Sequence, residues 1–174
     1  MTEMLLDKGG LEFDFRILFI SKVLNFGEHV GGQYNLTIGW YKALERFGSD
    51  VWILHHNNKC RYSAKGRDII LPSIINRSDL LLFGYRTAMY PHILKTIRPQ
   101  IVHVADESIT GTTLLTSDII KVATITDVIP LILPRLFNLR FKLSLTMFSK
   151  IVARAFDKII TISYSAADEL VKLC

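Results

Sequence analysis

The sequence predicts a three-layer α/β/α domain, in which helices cover both faces of a doubly wound parallel sheet. Two observations predict this fold. First, the chain contains short, continuous apolar runs, which are typical of strands buried on both faces of a parallel sheet. Second, segments whose apolar residues recur at helical spacing separate these runs, so that strands and helices alternate. A chain of 174 residues suits a single domain of this Rossmann-like kind.

The first half of the chain predicts one strand–helix–strand unit. The apolar run at residues 16–21 predicts the first strand, and a glycine-containing loop follows it. Gly48 suits the C-terminal cap of the next helix, and residues 50–54 predict the second strand. The apolar face of that helix is predicted to comprise Leu36, Trp40, Leu44 and Phe47.

The second half continues the alternation of strands and helices. Further strands are predicted at residues 68–71, 101–104, 121–126 and 158–162. Helices are predicted at residues 78–97 and 134–156 and after Ser163, and residues 106–118 form a connection with helical potential. The last helix is predicted to bury Ala166, Ala167, Leu170 and Val171. Residues 1–15 lack clear periodicity, and we expect a loosely structured leader there.

The charge of the chain narrows the classes of partner. The formal net charge of +5 and the pI of about 9.3 are compatible with phosphate-bearing ligands, nucleic acid or an anionic membrane surface. The basic residues are scattered and no nucleic-acid recognition motif occurs, so we expect no nucleic-acid partner. No uncharged apolar run reaches the length of about 18 residues that a membrane-spanning helix needs.

The cysteines and histidines predict neither a disulfide framework nor a metal site. Cys60 and Cys174 have no metal-ligand spacing, and His55-His56 has no carboxylate or cysteine at ligand spacing beside it. The N-terminus carries acidic residues before any apolar run, which is unlike a secretory signal. We therefore expect a cytoplasmic protein that holds no metal.

Four segments resemble, in their order and spacing, the N-terminal half of a GT-B glycosyltransferase of the family 4 type. They are residues 16–21 with Gly31-Gly32, residues 44–51, residues 98–104, and the pair of segments 123–130 and 155–163. Together they span residues 16–174, nearly the whole chain. The chain departs from the pattern of that family at Ala105 and Thr126, where the family often carries histidines.

The resemblance implies that residues 16–174 are the acceptor-side domain of an enzyme that moves a sugar from a nucleotide-sugar donor to a hydroxyl acceptor. It also implies that the donor-binding C-terminal domain, with its basic pair and its two glutamates, is absent from these 174 residues. We therefore expect the chain to be incomplete as an enzyme and to require that domain or a partner chain. Positive groups rather than a metal stabilise the departing phosphate in such an enzyme, so no metal or cofactor is expected.

Asp127 is the first candidate for the functional site. It lies at the carboxyl end of the predicted strand 121–126, and ligands of open α/β sheets bind just outside the carboxyl ends of the strands. Asp127 is a candidate base for an acceptor hydroxyl or a contact to a sugar hydroxyl, and Thr126 beside it is a second candidate. The alternative is a carboxylate that caps the following turn.

The loop at residues 27–33 is the second candidate. Glycines let a ligand approach the backbone closely, and the N-terminus of the following helix favours phosphate oxygens. The resemblance places Gly31 and Gly32 near the donor phosphates or the acceptor, and Glu28 is expected on the same cleft. The loop has no G-x-G-x-x-G dinucleotide fingerprint, and the alternative is a tight loop without a ligand.

Three further residues are candidate substrate contacts, and each has a structural alternative. His103 ends a predicted buried strand, where the alternative is a core histidine bonded to a backbone carbonyl. Asp106 follows that strand and either contacts the acceptor or starts the next helix. Ser163 opens the last helix, where it suits an N-cap before any contact to substrate.

Two alternatives remain beside an acceptor-side domain. One is a non-catalytic module, either a Rossmann-like nucleotide-binding domain or the partner subunit of a split transferase. The other concerns residues 133–150, whose charges are all basic and whose apolar residues cover more than one helical face. A helix is predicted over 134–156, and this pattern suits a helix that lies on the inner face of an anionic membrane. It equally suits a helix that packs in the core and keeps its basic side chains in solvent.

Overall fold

The computed structural model describes residues 15–21, 31–55, 67–70, 79–105, 118–125, 132–136 and 155–173. The strands within these residues are β1 (Arg16–Ile20), β2 (Asp50–His55), β3 (Asp68–Ile70), β4 (Ile101–Val104), β5 (Ile120–Ile125) and β6 (Lys158–Thr161). The helices are α1 (Gly31–Arg46), α2 (Asp79–Ile97) and α3 (Tyr164–Leu173), together with a 3-10 turn at Pro134–Leu136. None of the described helices is long and apolar enough to cross a membrane.

The six strands form one sheet in the order β3-β2-β1-β4-β5-β6, and every neighbouring pair is parallel. The chain therefore builds outward from β1 to one edge, returns to the centre, and builds outward from β4 to the other edge. This is the strand order of the doubly wound Rossmann-like sheet. The predicted fold class is confirmed, and the observed strands lie within one residue of the predicted bounds.

The central strand β1 is buried because helices cover both faces of the sheet. Successive strand side chains point to opposite faces. Leu18 and Ile20 accordingly pack in a core with residues of α2 and α3, whereas Phe19 packs in a second core with residues of α1. Four residues of β1, Ile17 to Ile20, are at most 4% exposed. This two-sided burial explains why the sequence of β1 is a continuous apolar run rather than an alternating one.

Polar side chains join neighbouring strands at the end of the sheet where the strands begin, which we call its amino edge. Asp50 at the start of β2 accepts a hydrogen bond from Arg16 Nε at 2.7 Å and forms an ion pair with Arg67 Nη1 at 2.6 Å. The backbone N–H of Arg16 donates to Gln100 Oε1 at 2.7 Å, and the backbone N–H of Gln100 donates back to the Arg16 carbonyl at 2.9 Å. These bonds join the starts of β3, β2, β1 and β4.

The same arrangement continues to the other edge of the sheet. The backbone N–H of Lys121 donates to Asp157 Oδ2 at 2.7 Å, and the N–H of Asp157 donates to the Lys121 carbonyl at 2.9 Å. The N–H of Ile120 donates to the Gln100 carbonyl at 3.0 Å. Each of the six strands is therefore bonded to a neighbouring strand at its amino end. These contacts give the amino edge a structural role.

Helix α1 ends in a Schellman motif, as the predicted Gly48 cap requires. The N–H of Gly48 donates to the Glu45 carbonyl at 3.1 Å, and the N–H of Ser49 donates to the Leu44 carbonyl at 3.3 Å. Gly48 has a φ of 77°, in the left-handed region that favours glycine. The cap turns the chain directly into β2, which begins at Asp50.

Three sequence-based expectations about the helices are corrected. Gly31 and Gly32 lie in the first turn of α1 rather than in the preceding loop, because glycines carry no side chain from which a helical period can be recognised. Phe47 is 70% exposed, because α1 ends at Arg46 and the Schellman turn removes Phe47 from the helical face. Val171 is 78% exposed, because it lies away from the side of α3 on which the buried residues Ala166 and Leu170 pack against the sheet.

Several predicted segments lie wholly or mostly outside the described residues. They are the leader at residues 1–15, the connection at residues 106–118 and the greater part of the predicted helix 134–156. Of that helix, the structure describes the 3-10 turn at its start and the buried Phe156 at its end. These three expectations stay predictions.

Gly39 inside α1 and Gly48 in the turn after it are expected to respond in opposite directions to substitution by alanine. A Cβ added at Gly48 or at Gly39 meets no atom within 4 Å. Gly48→Ala should lower the free energy of unfolding by about 1–2 kcal/mol, because alanine is strained at a positive φ. Gly39→Ala, in the helix interior, should raise it by up to about 1 kcal/mol. Urea unfolding measures both, and equal signs would contradict the described end of α1.

Candidate functional site

The centre of the sheet contains a topological switch point between β1 and β4. The chain leaves β1 toward the edge that contains β3 and leaves β4 toward the edge that contains β6. The two strands end level, since Ile20 pairs with Val104 and the N–H of Ala105 donates to the Ile20 carbonyl at 2.9 Å. Connections that diverge from such a point open a crevice at the carboxyl ends, which is where open α/β sheets bind ligands.

Ser21 and Ala105 lie below the position where the strand order predicts this crevice. They directly follow β1 and β4, and they are 0% and 2% exposed. The chain positions that come next in each case, residues 22–30 and 106–117, lie outside the described residues. The structure therefore describes the buried base below the expected crevice, which consists of small side chains at the ends of two adjacent central strands.

The N-terminus of α1 is the described feature of the crevice that suits an anion. Gly31 and Gly32 begin this helix of 16 residues, which follows β1 in the chain, and its first turn contains no acidic residue. The first N–H groups of a helix have no partner within the helix, and the helix dipole places partial positive charge there. Glycine carries no side chain that would stand between those N–H groups and a phosphate or a sugar hydroxyl.

His103 lies in the core beneath the crevice rather than on its surface. The side chain is 4% exposed, and its Nε2 atom lies 2.8 Å from Thr124 Oγ1. The imidazole ring packs against Phe19 and Trp40 in T-shaped contacts, with ring centroids 5.1 and 5.8 Å away from its own. Burial lowers the pKa of His103 to about 4, so the imidazole is neutral near pH 7.

The position of His103 matches the alternative of a buried core histidine, with one difference. The hydrogen-bond partner is the Thr124 hydroxyl rather than a backbone carbonyl. Thr124 was not among the sequence-based candidates, although it is a polar residue inside an apolar strand and is 2% exposed. The bond joins β4 to β5 at Thr124, three residues before Asp127 in the chain. His103 therefore helps to position the strand that precedes this candidate acid. A contact from His103 to substrate stays a prediction.

Ser163 is the N-cap of α3. Its Oγ atom accepts a hydrogen bond from the N–H of Ala166 at 3.1 Å, and its carbonyl accepts one from the N–H of Ala167 at 3.1 Å. The expectation of an N-cap is therefore confirmed. Ser163 follows β6 by two residues, on the carboxyl side of the sheet, and its contact to substrate stays a prediction.

The acidic candidates and Thr126 lie outside the described residues, so their contacts stay predictions. Asp127 follows the end of β5 by two residues along the chain, and Asp106 follows the end of β4 by two residues. The strands β4 and β5 are neighbours in the sheet. Glu28 belongs to the segment between β1 and α1. Among the described residues there is no group of three or more histidine, cysteine and acidic side chains arranged to hold a metal ion.

An open depression of about 690 Å³ lies away from the crevice, beside the end of α1. Its lining includes Lys42, Arg46 and Arg67 together with Glu45 and Gly48. This is the amino edge of the sheet, where Arg67 is already paired with a carboxylate and basic side chains complement the C-terminus of the helix. The depression therefore reflects the packing of the helix end and does not belong to the crevice.

A protein-family model described as Glycosyltransferase Family 4 matches residues 30–174. The matched range contains three of the four segments that carried the resemblance, and it contains the described elements from α1 to α3. No curated protein matches the chain in sequence.

Proposed function

Because the chain belongs to glycosyltransferase family 4, we propose that it is the acceptor-side domain of a GT-B enzyme that transfers a sugar from a nucleotide-sugar donor to a hydroxyl acceptor. One structural observation supports this proposal most strongly: the switch-point crevice between β1 and β4, with the N-terminus of α1 beside it. The crevice combines a buried base with helix N–H groups that favour oxygen-rich, anionic ligands.

In the proposed reaction the acceptor hydroxyl attacks the anomeric carbon of the donor sugar, and the bond from that carbon to the nucleotide phosphate breaks. Asp127 accepts the hydroxyl proton or orients the acceptor, and the position of Asp127 just past β5 supports this role. The N–H groups at Gly31 and Gly32 stabilise negative charge on the departing phosphate. Thr126 contributes a hydrogen bond at the position where the family often carries a histidine.

The donor is proposed to bind mainly to a second domain or a partner chain, across the crevice from this one. The 174 residues alone should therefore bind nucleotide sugars weakly and transfer sugar slowly. Rapid multiple turnover by this chain alone, measured with a radiolabelled donor, would contradict this part of the proposal.

A second candidate function is the binding of a dinucleotide without sugar transfer. The strand order of the sheet favours it, because the same order is found in dinucleotide-binding domains. The sequence after β1 weighs against it, because the glycines at 27, 31 and 32 do not form a G-x-G-x-x-G fingerprint. The two functions differ in the ligand that should stabilise the protein.

Thermal unfolding with separate nucleotide sugars and with NAD distinguishes the two functions. A ligand present at about ten times its Kd stabilises a protein by about 1.4 kcal/mol, which corresponds here to about 3–6 °C in Tm. We expect at least one nucleotide sugar at millimolar concentration to raise Tm and NAD to have no effect. Stabilisation by NAD alone would favour the dinucleotide function, and no stabilisation by any of them would favour a partner subunit.

Single-turnover transfer from a radiolabelled donor, with the protein in excess, then tests the role of Asp127. Asp127→Asn should slow transfer about a hundredfold, which is typical of the loss of a general base. Asp118→Asn is the matched control, because Asp118 is exposed and precedes β5 at its opposite end. Equal rates for the two variants would remove Asp127 from the proposed mechanism.

A further inference from the structure

The 3-10 turn that follows β5 exposes large aliphatic side chains. Ile132 is 44% exposed, Leu133 is 50% exposed and Leu136 is 73% exposed. Arg135 lies among them and is also exposed. A single exposed leucine is common on protein surfaces, but three aliphatic side chains within five residues form a concentrated apolar surface. We call residues 132–136 the aliphatic turn.

The geometry of the aliphatic turn directs two leucines to the same side. The N–H of Leu136 donates to the Leu133 carbonyl at 3.1 Å, which closes the 3-10 turn. In a 3-10 helix, side chains three residues apart are eclipsed, so Leu133 and Leu136 lie one above the other. Pro134 restricts the backbone between them. The turn therefore holds a small apolar projection rather than isolated side chains that can fold back separately.

The charge of the surrounding sequence is strongly asymmetric. Residues 128–156 contain five of the 21 lysines and arginines of the chain and none of its 16 acidic residues. The formal net charge of +5 therefore resides in this one stretch, and the rest of the chain contains equal numbers of acidic and basic residues. The aliphatic turn lies near the start of this stretch, which makes its surroundings attractive to anions.

We propose that the aliphatic turn docks on an anionic lipid bilayer, with Leu133 and Leu136 entering the interface and Arg135 meeting lipid phosphates. Aliphatic side chains beside basic ones are typical of surfaces that lie in the membrane interface. A second copy of the chain is a poorer occupant, because it would bring two all-basic stretches together. Nucleic acid would pair with the basic side chains but would leave the aliphatic ones exposed to water.

The aliphatic turn follows β5 closely in the chain, so the docked surface lies near the carboxyl end of that strand. Ile132 follows the end of β5 by seven residues, and seven residues span at most about 25 Å. The docked bilayer is thus within that distance of the carboxyl end of β5. The docking does not depend on sugar transfer, and it can be measured without any substrate.

Vesicle flotation of the full chain tests the proposal. Vesicles of phosphatidylcholine with about 30% phosphatidylglycerol should carry the protein at low salt, whereas vesicles of phosphatidylcholine alone should not. The double variant Leu133→Ser/Leu136→Ser should lower the partition coefficient at least about tenfold. Arg135→Glu should lower it about fivefold or more. Both changes are at exposed positions, and an unchanged Tm will show that the variants remain folded.

Matched controls are available at the end of α1. Phe47→Ser removes an apolar side chain that is 70% exposed, and Arg46→Glu reverses an exposed charge at the C-terminal end of α1. Each should change the partition coefficient by less than about twofold, which is the effect expected of residues outside the interface. Equal losses from the controls and the turn variants would overturn the proposal.

Three other outcomes would also overturn it. One is no flotation with anionic vesicles at low salt, and another is equal flotation with neutral vesicles. The third is a dimer in sedimentation equilibrium that dissociates in the Leu133→Ser/Leu136→Ser variant, because a second copy would then be the occupant of the aliphatic turn.

Discussion

Phe19→Ala is expected to lower the free energy of unfolding by about 3–5 kcal/mol. Phe19 lies in the central strand β1, has no exposed surface, and packs with α1 and with the His103 ring. Truncation removes apolar contacts and leaves a cavity that two strands and a helix cannot easily close. Since a domain is typically stable by only about 5–15 kcal/mol, this one change is expected to shift the urea midpoint strongly.

Phe47→Ala is the matched control for this prediction. The substitution is chemically identical, but Phe47 lies after the end of α1 and is 70% exposed. Its free energy of unfolding should stay within about 0.5 kcal/mol of that of the parent chain. A loss at Phe47 comparable to the loss at Phe19 would mean that the apolar face of α1 continues past Arg46, as its sequence spacing suggested.

The second large effect is expected on acidification. His103 is 4% exposed and its pKa is lowered by burial to about 4, from an ordinary value of 6.5. The unfolded chain therefore takes up a proton at this position at a higher pH than the folded protein does. The stabilising effect of the neutral imidazole is complete above pH 6.5 and is lost as pH falls from 6.5 to about 4. The difference in pKa corresponds to about 3 kcal/mol.

Urea unfolding at a series of pH values between these limits measures the effect. His103 should contribute a slope that approaches about 1.4 kcal/mol per pH unit, equivalent to the uptake of one proton on unfolding. In His103→Gln this contribution should disappear, since the amide does not titrate and can still bond to the Thr124 hydroxyl. His92→Gln is the control, because His92 is exposed. An unchanged slope in His103→Gln would show that the buried imidazole is not the titrating group.

The sheet was predictable from the sequence because each strand carries its own signal. The prediction for β4 coincides with the observed Ile101–Val104, since a short apolar run between turn residues has one simple interpretation. The start of α1 was less predictable. Helical periodicity is recognised from side chains, and Gly31 and Gly32 contribute none, so the helix was expected to begin later than it does.

The end of the sheet that carries the crevice was also predictable, whereas its position between β1 and β4 and the contacts beneath it were not. Alternating strands and helices predict a parallel sheet with ligands at the carboxyl ends of its strands, but they do not specify the strand order that creates the switch point. The bond between His103 and Thr124 depends on the register of β4 against β5, in which His103 pairs with Val122. That register is set by the packing of helices on both faces, and no feature of either strand alone specifies it.

The polar fastening of the amino edge has a consequence for how such a domain can diversify. The bonds of Asp50, Gln100 and Asp157 hold the beginnings of the strands, at the side of the sheet opposite the crevice. Loops on the crevice side can therefore be lengthened, shortened or exchanged while those anchors remain intact. A laboratory library that randomises only the segments after β1, β4 and β5 would vary the ligand-binding side of the sheet while the bonds at the amino ends of the strands stay unchanged.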